Sequence, residues 1–206
     1  VKLYKALTWG LSMEMTKIDV SKEELKDYPR EAFRGPLLYV KTDEEFSEVW
    51  AEFSKNQKVF GIDTETKPSF KKGQQNLTAL VQICNGSSVI VVRTYKGVLP
   101  EELIAFFNDE NIEKVGIATA DDMKDLKKCN AGFDAHNVID LGKLALKKGL
   151  KCTGAKRLSA LLLGFTISKS QQTSNWENPT LTPAQLTYAA TDAWICNLIY
   201  DKLKAI

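Results

Sequence analysis

Three short apolar runs, Lys58 to Glu65, Leu77 to Cys84 and Ser88 to Arg93, follow one another with no helical segment between them. Each carries β-branched residues and reads as a strand, and the turn signal Asn85-Gly86 separates the last two. Beyond Arg93 the pattern changes. Pro100 to Asn108 reads as a helix, Lys114 to Thr119 as a strand, Asp121 to Cys129 as a helix and Asn137 to Leu141 as a strand. Helices follow at about 142–148 and 154–163, and a last one runs from Pro183 almost to the end. Three adjacent strands and then strands alternating with helices predict an α/β fold built on a mixed sheet. The first three strands form an antiparallel meander, and the last two pair in parallel through helical crossovers, with helices on both faces.

The 206 residues fit one domain of ordinary size with an appended arm. Residues 1–39 are the least patterned and read as an N-terminal arm or extension, in which Ser21 to Glu24 resembles a capping box. The domain proper is expected at 40–206. A second capping box, Thr42 to Glu45, opens a helix with Phe46, Val49, Trp50 and Phe53 on its inner face. No apolar run approaches the roughly 20 residues that cross a bilayer, and no secretory signal is read at the start, so neither membrane nor export is expected. The four cysteines are isolated from one another, which suits a reducing cytoplasm. With one histidine in the chain, a zinc site and a Ser-His-Asp triad are both excluded as expectations. The chemistry must then rest on carboxylates, Tyr, Lys or Cys.

Charge is unevenly spread. Residues 141–176 hold no Asp or Glu but seven cations, Lys143, Lys147, Lys148, Lys151, Lys156, Arg157 and Lys169, so in a chain of net +2 the remainder carries −5. Such a block serves either a polyanionic partner or simply a solvated face.

The carboxylates fall into a pattern. Along the strand from Lys58 to Glu65, side chains alternate, so Asp63 and Glu65 point the same way at its end. Two like charges so placed either dissolve in solvent or hold a hard divalent cation. In the last helix, Gln185, Tyr188, Asp192, Ile195 and Ile199 form one stripe, which aims Asp192 inward beside Tyr188. After the strand ending near Thr119, Asp122 shares a helical face with Leu126 and Cys129, whereas Asp121 lies on the polar side with Lys124, Asp125 and Lys128. Asp63, Glu65 and Asp122 all fall at the carboxyl ends of strands, where sites gather in such sheets.

In order along the chain, Gly61-Ile-Asp-Thr-Glu-Thr66, then Val115-Gly-Ile followed by Asp122, then Tyr188-Ala-Ala-Thr-Asp-Ala193 resemble the three motifs of the DEDD 3'-5' exonucleases, tyrosine subclass. Lys151-Cys-Thr153 and Ser174-Asn-Trp176 are similar to Werner-type exonuclease domains, and ribonuclease D is a further relative by this resemblance, which covers about residues 40–206. The acid of the second motif stands two residues later than in Werner-type sequences, and its helical face selects Asp122. The resemblance implies a ribonuclease H-like fold and two divalent ions, Mg²⁺ or Mn²⁺, held by Asp63, Glu65, Asp122 and Asp192. Asp63 would bridge the ions, Glu65 and Asp192 complete the nucleophile's side, and Asp122 supports the second ion through water. Tyr188 would orient the attacking water, since a phenol with a pKa near 10 is a poor base at pH 7. Nucleoside 5'-monophosphates would leave a DNA or RNA 3' end. The competing expectation is a catalytically silent nucleic-acid-binding module on the same fold.

Contacts to nucleic acid are expected from Thr64, from Lys67, Lys71 and Lys72 in the loop after the first motif, and from Lys147, Lys148 and Lys151. Trp176, in the long polar segment Ser168 to Pro183, either stacks on a base or anchors that segment to the core.

Overall fold

A computed structural model describes residues 17–69, 73 and 75–206. Lys71 and Lys72, and the brief apolar run after Lys2 and Lys5, lie outside the described residues. Six strands form one sheet: Leu37–Val40 (β1), Val59–Thr66 (β2), Thr78–Cys84 (β3), Val89–Arg93 (β4), Glu113–Gly116 (β5) and Val138–Asp140 (β6). Their spatial order is β1-β4-β3-β2-β5-β6. The β2-β3 and β3-β4 pairs are antiparallel, and β2-β5 and β5-β6 are parallel, as the pattern of runs predicts. The sheet's new member is β1, which pairs in parallel with β4 and runs across the boundary expected at residue 39. Only Val40 of its four residues is buried, so it carries too little alternation to be seen in the sequence.

The helices are Asp43–Phe53 (α1), Glu101–Asn108 (α2), Thr119–Cys129 (α3), Leu141–Lys147 (α4), Ala155–Leu163 (α5) and Pro183–Lys204 (α6). One face of the sheet, with Phe60, Ile62, Val81, Ile83, Ile90 and Val92, takes Phe46 and Phe53 of α1, Leu103, Phe106 and Phe107 of α2, and Leu126 of α3. Trp50 ties this layer together, with its ring 5.7 Å from Phe60 and 5.1 Å from Phe106. The other face is crossed by α6. A complete capping box of Thr182 and Gln185, with Pro183 in the first turn, starts this helix sharply. Its Ala189, Ala190 and Ala193 pack with Leu80, Cys84 and Val91, and small side chains there let the helix lie close on the strands.

The described part of the N-terminal segment is docked on the same side. Val20 is fully buried, Arg157 pairs with Asp19, and the Phe33 amide donates to Thr191 Oγ1 of α6 at 3.0 Å. Ser21 and Glu24 exchange the two hydrogen bonds of the expected capping box, on a single 3-10 turn, Glu24–Asp27.

Candidate active site

The approach of α6 to β2 begins at Gly61. A Cβ at that position would stand 2.2 Å from the Ala193 carbonyl oxygen and 2.4 Å from Asn197 Oδ1. No side chain fits there, so glycine is what lets the helix touch the strand. The Gly61 amide donates to Asn197 Oδ1 at 2.9 Å, inside the core. Two and four residues on, the same face of β2 presents Asp63 and Glu65 to Asp192 of α6. One carboxylate oxygen from each of the three can be chosen so that all lie within 4.8 Å of one another.

No salt bridge reaches this cluster among the described residues. Its electrostatics follow from burial with no cation in contact. Burial, then the charges of Asp192, Glu65 and Asp122, drives the Asp63 carboxyl well above the usual range. Burial and the charges of Asp192 and Asp122 push Glu65 up to about 9. Asp192 is pushed up to about 7 by burial, against the pull of Tyr188 and the exposed Lys169. Crowded acids of this kind ionise together only around a positive charge. The donors are all oxygens, with no Cys or His among them, which suits hard ions such as Mg²⁺ or Mn²⁺.

Asp122 stands beside this group of three. It is half-buried on α3, accepts a 2.5 Å hydrogen bond from the Thr64 hydroxyl, and is raised by burial. Asp121, its neighbour, is exposed and pairs with Lys124. The turn that aims α3 this way passes through Ala118 in the left-handed region, φ 58°. Gly116 ends β5 just before it, and α3 starts two residues earlier than its sequence suggests. Thr64, expected to meet nucleic acid, donates its hydroxyl to Asp122.

Tyr188 lies one helical turn before Asp192. Burial raises its pKa, and the charges of Asp192 and Glu65 raise it further, so the phenol keeps its proton across the neutral range. Its ring rests on Trp176, with centroids 5.9 Å apart. Trp176 is the point at which the stacking expectation is corrected. Its side chain is fully buried among Leu80, Val91 and Ala189, so no face is open to a base, and it anchors the segment. Arg93 completes the anchor. Its guanidinium donates to the carbonyls of Trp176 and Asn178, and its Nε to the Tyr39 hydroxyl. Lys67 is engaged in the same segment through a 2.9 Å ion pair with Glu177.

The lysines of the basic block separate in space. Lys143 and Lys147, four residues apart on α4, line an open groove of about 450 Å³ with Thr119, Ala120, Met123 and Asp140. The groove adjoins the first turn of α3, next to Asp122. Lys148 donates its amine to the Ile206 carbonyl, and the backbone amide of Lys151 donates to the Ile18 carbonyl. Lys143, in the groove, and Lys169, whose charge acts on Asp192, are not among the residues expected to contact nucleic acid. The i, i+4 spacing of Lys143 and Lys147 was a usable signal for the first. Arg93 and Asn197 had none, because their partners are distant in sequence.

Comparison with known proteins bears on this arrangement. A family model described as 3'-5' exonuclease matches residues 38–206. A 3'-5' exonuclease of Arabidopsis thaliana is 30% identical over 208 residues, covering 94% of this chain and 72% of that protein. The bifunctional 3'-5' exonuclease/ATP-dependent helicase WRN of Mus musculus is 30% identical over 200 residues, 91% of this chain and 14% of that protein. The chain spans 14–46% of the length of several curated relatives it matches. The crystal structure of the Aedes aegypti Nibbler EXO domain shares the fold, with a TM-score of 0.74 at 23% identity, over 84% of this chain and 91% of that one. No helix among the described residues is long and apolar enough to cross a membrane. The family match begins in β1 and ends at the last residue of α6's tail, so it takes in every strand and helix that carries a site carboxylate, and the chain belongs to the 3'-5' exonuclease family.

Proposed function

We propose that this chain removes nucleoside 5'-monophosphates one at a time from the 3' end of DNA or RNA, by phosphodiester hydrolysis assisted by two divalent ions. The observation that carries the reading is the convergence of Asp63, Glu65 and Asp192 within 4.8 Å, with Tyr188 against Asp192. Two Mg²⁺ or Mn²⁺ ions bound there would supply the Lewis acidity for activating water and for departure of the 3'-oxygen. Asp63, Glu65 and Asp192 would hold them, and Asp122, fixed by Thr64, would support them.

The protein's own groups do the rest. The Tyr188 phenol, held protonated, orients the attacking water by hydrogen bond and does not take its proton. Trp176 fixes the angle of that ring from behind. Lys143 and Lys147 bind backbone phosphates upstream of the 3' end, along the groove beside Asp122. Lys169, whose charge acts on Asp192, meets a phosphate near the cleaved bond.

The test is digestion of matched 3'-labelled DNA and RNA oligonucleotides, single- and double-stranded, with Mg²⁺ or Mn²⁺. Release of 5'-mononucleotides, stopped by a chelator and by Asp63→Asn, is the expected result. Equal rates on 3'-phosphate-blocked or circular substrates would contradict the polarity. Binding without any turnover would support the silent-module reading instead.

A further inference from the structure

Gln82 occupies the middle of β3, fully buried, and neither its Oε1 nor its Nε2 has a hydrogen-bond partner. Its immediate neighbours Val81 and Ile83 are apolar, as the interior of a central strand favours. A carboxamide buried with both ends unpaired is rare enough to need a reason. The register supplies one, because Gln82 lies directly opposite Asp63. Opposed residues of antiparallel strands project to the same face, with Cβ atoms about 4.5–5.5 Å apart. That face is the one α6 covers, since Leu80 and Cys84, on either side of Gln82, pack with Ala189, Ala190 and Ala193. The other unpartnered buried side-chain atoms among the described residues, Thr78 Oγ1 and Trp176 Nε1, are not opposed to a site carboxylate.

A carboxylate offers about four acceptor positions, of which a cation occupies only some. The Thr64 amide serves Asp63 from the backbone, and no described side chain donates to it. We propose that Gln82 is a positioning residue for Asp63: when Asp63 holds a divalent ion, the Gln82 amide N–H donates to the carboxylate oxygen turned away from that ion and fixes the ligand's orientation. The inference rests on the metal assignment of the proposed function. Outer groups of this kind change metal affinity or activity by about 10- to 100-fold when removed. They do so without touching the ion.

The experiment compares wild type, Asp63→Asn and Gln82→Met, the last keeping length and volume while removing the amide. Mn²⁺ binding is titrated by calorimetry, and thermal melts are recorded with a chelator. Wild type should bind Mn²⁺ and Asp63→Asn should lose it. Gln82→Met should bind about tenfold or more weakly, yet melt in metal-free buffer at or above the wild-type temperature, because it removes an unpaired buried amide. An amide with a merely structural role moves neither affinity nor its metal dependence, and its loss lowers the melting temperature. A lower metal-free melting temperature, failure to fold, or unchanged Mn²⁺ affinity in Gln82→Met therefore overturns the proposal. If Asp63→Asn binds Mn²⁺ like wild type, the metal assignment itself falls; if only Gln82→Met does, the site stands and Gln82 has no part in it.

Discussion

The Gly61 amide donates to the Asn197 side chain at 2.9 Å, and this one bond joins the strand that carries Asp63 and Glu65 to the helix that carries Asp192. Any side chain at Gly61 would meet the Ala193 carbonyl. Gly61→Ala should therefore push α6 off β2 and open the cluster. Overpacking of this kind costs about 1–3 kcal/mol. The melting temperature should drop, and kcat should fall further than KM changes. A Gly61→Ala protein with wild-type melting and turnover would show that this spacing does not set the site.

The crowded carboxylates make stability depend on pH in a stated direction. Glu65 rises from an ordinary 4.5 to about 9 and Asp192 from 3.8 to about 7 in the folded protein. Groups raised on folding favour the folded state fully below their unfolded values, and that contribution is lost as pH climbs through the folded ones. The metal-free protein should thus lose stability between about pH 5 and 9. Added Mn²⁺ should restore it, and the gain in melting temperature should be larger at pH 8.5 than at pH 5.5. Asp192→Asn should flatten the metal-free curve. Melts with and without chelator check this, and a metal-free curve that rises across the range argues against the cluster.

Tyr188→Phe isolates the hydroxyl. Loss of one preorganised hydrogen bond should reduce kcat by about 10²–10³-fold. KM and Mn²⁺ affinity should hardly move, and the pH–rate profile should keep its shape, because the phenol does not titrate in this range. Disappearance of the basic limb in the variant would instead make Tyr188 the general base.

Trp176 should behave as a support for Tyr188 and not as a platform for a base. Trp176→Ala leaves a cavity in the core, worth about 3–5 kcal/mol. The milder Trp176→Phe should lower kcat while the Kd for a single-stranded oligonucleotide stays within about twofold. A large loss of binding with full stability would return the residue to the substrate.

The groove lysines should be separable from the rest of the basic block by salt. Each phosphate neutralised on a single strand contributes about −0.7 to the slope of log affinity against log salt. Lys143→Gln and Lys147→Gln should each flatten that slope. Lys148→Gln should not, since its amine is turned to the Ile206 carbonyl. Equal effects at all three positions would mean a diffuse basic face.

Local periodicity was enough to aim individual side chains. Alternation along β2 put Asp63 and Glu65 on one face, and the helical repeat turned Asp122 inward, Asp121 outward and Asp192 toward the strands. The three-strand meander and the parallel pair were legible for the same reason, since face and element type are settled within a few residues. What the sequence could not contain was distance between elements. Trp176 reads equally as an exposed aromatic or a buried one until Arg93, 83 residues away, is seen holding its carbonyl. The lysines of residues 141–176 look alike until α4 is set beside α3, and β1 is invisible until β4 accepts it. Gln82 is an ordinary strand residue until the register places it across from Asp63. Sequence determines which way a side chain leaves its own element, because that is fixed by backbone geometry. Only the tertiary structure decides what it meets, because burial and pairing depend on atoms contributed from elsewhere in the chain.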